Sequence, residues 1–231
     1  MGQEMTLAQM IGGLKTVSEE AWGMYAFSRD PLRDKISEER KREMIGKAIA
    51  CGREKARWAI ERFGTRDPAR MAGQMGLQVI SRDKGQIADR LLFALFTPPN
   101  QVEIMEEPLQ KAEGLSYGLD GVDAGNMRRL ILGHEIYHFL EEEDEEIYTR
   151  REKIELWKFL GFRNRSTVRA LSEIAGMYFS QSLTQFCCSP FALDVILYYG
   201  YDVQVAEGLY REIMEFQQAY PVRKGLDAPS I

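Results

Sequence analysis

The chain has 231 residues, 45% hydrophobic and 28% charged, with a net charge of −5. These values suit a globular protein with one sizeable core, and the acidic balance argues against a general nucleic-acid-binding surface. No apolar run reaches the length of a membrane span, and no basic region followed by an apolar core opens the chain, so the expected location is cytoplasmic. The first six residues, MGQEMT, fit the short myristoylation pattern, which is read as coincidence. Three cysteines, Cys51, Cys187 and Cys188, cannot all pair within the chain, and two are adjacent. They are expected as reduced thiols, with Cys187 and Cys188 in the core.

Residues 1–30 read as weakly patterned helix interrupted by Gly12, Gly13 and Gly23. Pro31 to about Phe63 carries apolar residues at near-helical spacing, with Asp30 as N-cap, and Gly64 ends that helix. Asp67-Pro68 opens a short helix that ends near Gly76. Strands are expected at 77–82, 90–97 and 101–106, the last two as an antiparallel hairpin around Pro98-Pro99-Asn100. A helical turn near 109–113 precedes a long helix starting at Asp123. The acidic run 141–146 reads as helix continuing onward or as a solvated loop. Residues 150–165 (RREKIELWKFLGFRNR) read as a short amphipathic helix ending at Gly161, with Leu156, Trp157 and Phe159 inward. Helices follow from a Ser166/Thr167 cap to about Phe186, over 190–200 and over 203–220.

The long helix contains His134-Glu135-Ile136-Tyr137-His138, an H-E-x-x-H match formed by the only two histidines of the chain. On a helix the two imidazoles fall about 40° apart on one face, where both can ligate one metal ion. Glu135 flanks that face within reach of a metal-bound water. The bland alternative is a half-buried structural histidine pair. A third ligand must come from another helix, and Glu173, sharing a face with Gly176, Met177 and Ser180, is the best candidate; its alternative is an ordinary surface glutamate.

Together these stretches resemble the ImmA/IrrE family of zinc metallopeptidases. Arg128–His138 (RRLILGHEIYH) is similar to that family's motif helix, and Glu173–Ser180 (EIAGMYFS) to its downstream signature E-x-x-A-N-x-F-A. The likeness covers about residues 45–200. Tyr137 takes the place of a usual Gly, Met177 of a usual Asn, and Gly176 of Ala. The resemblance implies an α+β, mostly α fold, with a small antiparallel three-stranded sheet on a helical core. It also implies a Zn2+ site of His134, His138 and Glu173, and a protein or peptide substrate, a transcriptional repressor in some members. The expected organisation is an N-terminal helical extension (1–44), a metallopeptidase-like domain (45–220) and a loose tail (221–231). Glu135 is the expected general base; Tyr137, Tyr178 and Arg128 are candidates for stabilising an oxyanion. Neither nucleic acid nor membrane is an expected partner. The rival expectation is a metal-binding regulatory or interaction module whose catalysis has lapsed.

Overall fold

The computed structural model describes residues 5–83, 86–87, 90–91, 93–115, 119, 121–159 and 162–222. The myristoylation-like start and most of the expected tail lie outside these residues. Ten α-helices and seven strands occur among them: α1 Leu7–Leu14, α2 Glu19–Ser28, α3 Glu38–Phe63, α4 Pro68–Met75, β1 Gln78–Arg82, β2 Gln86–Ile87, β3 Arg90–Leu91, β4 Ala94–Thr97, β5 Gln101–Met105, α5 Glu106–Leu115, α6 Ala124–Glu143, α7 Tyr148–Arg151, β6 Lys153–Phe159, β7 Phe162–Thr167, α8 Arg169–Thr184, α9 Leu193–Tyr199 and α10 Val203–Ala219. The fold is α+β and mostly helical. No helix among the described residues is long and apolar enough to cross a membrane.

Helix α8 is the hub, packed between α3 and α6. On the α3 side, a Cβ at Gly52 would lie 2.2 Å from the Ala175 carbonyl oxygen, so the missing side chain lets two backbones touch. On the α6 side, Gly133 faces Ser180 and Gly176 faces His134 and Tyr137. Ser172 reaches Glu141 in the other direction, so α6 and α8 run antiparallel.

The three-stranded sheet has the order β1-β5-β4. The β4–β5 hairpin is antiparallel as the sequence suggests, but β1 pairs with β5 in parallel, which makes the sheet mixed rather than wholly antiparallel. Burial of Val102 and Ile104 on β5, with Phe96 against Phe139, seats this sheet on α6. Strand β4 is its edge.

Residues 153–167 form an antiparallel hairpin, β6–β7, in place of the expected amphipathic helix. The sequence Lys-Ile-Glu-Leu-Trp alternates exposed and half-buried positions with the two-residue period of a strand, and Trp157 is exposed rather than inward. Helix α8 therefore starts at Arg169, and Ser166 and Thr167 belong to the hairpin.

Helix α3 starts only at Glu38, capped by Ser37. Asp30, expected to cap it, is 2% exposed and does something else. Its carboxylate accepts the Leu32 N–H at 2.7 Å and, across the fold, the Ala170 N–H at 2.8 Å. Val168, the N-cap residue of α8, makes no side-chain cap, so Asp30 satisfies that helix start from a distance. Helices α1 and α2 bury Met10, Leu14, Trp22, Tyr25 and Phe27 in the same apolar cluster as α6 and α8. The three cysteines are free; Cys188 is buried, whereas Cys187 is exposed and not a core residue.

Candidate metal centre

The motif helix begins at Asp123, whose carboxylate accepts the Asn126 N–H at 2.8 Å. It runs without a break to Glu143, and the carboxylates at its end are offset by Arg150, which donates to the carbonyls of Glu141 and Glu142. His134 and His138 project from one face of this helix with ring centroids 4.5 Å apart, and Glu173 meets them from α8.

The His134 and His138 Nε2 atoms are 2.9 Å apart. Glu173 Oε2 lies 3.4 Å from the first, and Glu173 Oε1 3.9 Å from the second. Zinc bonds of about 2.0–2.1 Å at tetrahedral angles set donor atoms about 3.3 Å apart. The three separations bracket that value. These side chains can hold a metal ion.

The donor set fits a divalent cation on chemical grounds as well. Two imidazoles and one carboxylate leave a coordination position free. Burial opposes charge on His138, yet the hydrogen bond to Glu141 and the charges of Glu173, Glu135 and Glu141 raise its pKa to about 9. Burial likewise opposes charge on Glu173, and the His134 and His138 contacts overcome it, holding the carboxyl at about 2. The carboxylates around His138 thus favour positive charge at this ring.

Behind His138 lies a buried relay that the sequence does not announce. Its Nδ1 is 3.5 Å from Glu141 Oε2 and 3.3 Å from Ser172 Oγ. The Ser172 hydroxyl donates to Glu141 Oε2 at 2.5 Å, and Thr149 donates to Glu141 Oε1. Tyr137 in turn is 3.0 Å from Thr149 Oγ1, and Cys51 Sγ lies 3.9 Å from the phenol. Against the effect of burial, the bonds from His138, Ser172 and Thr149 lower the Glu141 pKa, which keeps it an acceptor. A carboxylate on the outer nitrogen of a ligand histidine fixes its tautomer and strengthens it as a donor. Glu141 is thus a site residue that hides inside an acidic run; its spacing of three after His138 is the only signal. The outer nitrogen of His134, by contrast, is buried and has no partner among the described residues.

Tyr137 is fully buried behind the ligands and does not face the cleft. Burial raises the pKa of its phenol far above the ordinary value, with Cys51 and Glu141 adding to the shift. Tyr178 packs under Arg53, and Arg128 binds Glu106 and Ser81. None of these three oxyanion candidates lines the cleft among the described residues.

The cleft itself has a volume of about 510 Å3. Along one wall run Ala94, Leu95 and Phe96 of edge strand β4; opposite are His134, His138 and Glu173 with Glu135, which is 9% exposed. Glu142 adds a further carboxylate at the rim. The chain matches no family model, no curated protein and no solved structure.

Proposed function

We propose that the chain is a zinc-dependent endopeptidase acting on a protein substrate. The carrying observation is the convergence of His134, His138 and Glu173 beside Glu135, at the foot of a cleft flanked by a sheet edge. Zinc, when bound by the three ligands, supplies Lewis acidity toward a carbonyl and acidifies water towards a pKa of ~7. Glu135 accepts the proton of the attacking water and returns it to the departing amine nitrogen. Glu141, held by Ser172 and Thr149, fixes the His138 ring. The outer edge of β4, unpaired among the described residues, orients an extended peptide by main-chain hydrogen bonds. In some members of the family that the chain resembles, the protein substrate is a transcriptional repressor.

Metal analysis of tag-free protein tests the reading first. About one zinc per chain is expected in wild type, falling sharply in Glu173→Ala. Glu135→Gln should keep the metal and lose peptide cleavage. A zinc-loaded wild type that cuts no peptide would favour the binding-module alternative, and wild-type protein that takes up no zinc would remove the peptidase reading.

A further inference from the structure

Past the metal centre the groove between α6 and α8 continues into a second recess of about 290 Å3. His134 and Glu135 border both spaces, as does Ala94 of β4. The recess is walled by Phe93, Leu130, Ile131, Met177 and Leu193, with Asp194 among them. Leu130 lies four residues before His134 on α6, and Met177 four after Glu173 on α8. The recess therefore sits about one helical turn, or 5.4 Å, from the ligands. That is where the residue next to a reacting carbonyl projects its side chain when its backbone follows β4.

We propose that this recess receives the side chain of a lysine or arginine beside the cleaved bond, and that Asp194 recognises its cationic end. The assignment rests on the peptidase reading above and names the substrate class of the same site.

Aliphatic and aromatic walls suit the methylene stem of such a side chain. Asp194 is the feature they leave unexplained. Among the described residues no cation lies within ion-pairing distance of its carboxylate. The cation whose charge acts on it, Arg29, pairs with Glu212 at 3.2 Å and sits 3.7 Å over the Tyr25 ring. Burial pushes the Asp194 carboxyl up to about 6, a shift that Arg29 and a hydrogen bond with the neutral Tyr25 phenol oppose and the like charge of Glu173 reinforces. Its place in the first turn of α9 eases the charge through the helix dipole but brings no counter-ion. A carboxylate held in apolar surroundings favours a cation that arrives with the ligand. The surroundings agree in sign. Glu135, Glu141, Glu142, Glu173 and Asp194 line the cleft and recess, and no Lys or Arg occurs among the described lining residues.

The test uses full-length, zinc-loaded protein carrying 13C-methyl methionine, with the Met177 signal identified through Met177→Leu. N-acetyl-lysine amide should move that signal at about tenfold lower concentration than N-acetyl-norleucine amide, the scale of one charge-assisted contact. Asp194→Asn should bring the two titrations together, and Asp194→Glu should keep them apart. In parallel, the cut sites that wild type makes in a proteome-derived peptide mixture should carry Lys or Arg at one position beside the cleaved bond. Equal titrations, or a lysine preference that survives Asp194→Asn, overturn the proposal. Cleavage without any basic preference also overturns it while leaving the peptidase standing. No cleavage together with an Asp194-dependent lysine preference removes the peptidase and upholds the recess.

Discussion

Glu141 shows how a charge run can conceal one functional member. Five of the six residues 141–146 behave as a helix end and its following turn, and only the first turns inward, to 12% side-chain exposure, where three donors meet it. Glu141→Gln should lower zinc affinity by about 10–100-fold with the fold intact, measured by competition with a chromophoric chelator. The same assay carries a pH prediction. With its pKa at about 9, His138 is protonated in the metal-free protein at neutral pH, so zinc must displace that proton. Affinity should rise about tenfold per pH unit from neutrality until His138 deprotonates, then level off. A flat profile would mean that zinc displaces no proton from His138 over this range. The shared face of His134 and His138 was legible because helical periodicity fixes it, whereas the approach of Glu173 depends on how α8 packs on α6. Periodicity left the role of Tyr137 open, because it says nothing about which neighbour covers the flank. Here Thr149 does.

At the scale of elements, the site depends on two helices brought unusually close. A Cβ at Gly176 would fall 2.9 Å from His134 Nδ1 and 3.2 Å from Tyr137 Cδ1. The missing side chain at Gly176 is therefore the counterpart of the bulky Tyr137: volume absent from one helix is present on the other. Gly176→Ala should cost about 1–3 kcal/mol in denaturant unfolding and weaken zinc binding by tilting His134. In a Tyr137→Ala background the same change should cost less, and a double-mutant cycle reads the difference. If the two costs simply add, the packing account fails. The hairpin at 153–167 was the element least legible in the sequence. Its interleaved Leu, Trp and Phe satisfy a helical period as well as a strand period, and with Trp157 and Phe162 exposed only the half-buried Ile154 and Leu156 mark the inward face. The parallel β1–β5 pair was also invisible, since strand patterns carry no direction.

Across the whole molecule, what the sequence could not show was how distant segments share duties. The α+β class, the β4–β5 hairpin and the helices carrying the ligands follow from local pattern, but Asp30 and Ala170 are 140 positions apart. Replacing Asp30 by Ala should destabilise the fold by about 1–2 kcal/mol in chemical unfolding, because it strips the cap from the helix that carries Glu173. This bond has a thermodynamic corollary. If the amino-terminal strap props the helix that presents a ligand, occupancy of the centre must steady the strap in return, by the same free energy. Zinc should then slow amide hydrogen exchange at Ala170 and shield residues 5–30 from limited proteolysis, and Asp30→Ala should sever that reciprocity. Removal of the strap by a protease should then weaken metal binding through α8, without altering any of the three candidate ligands.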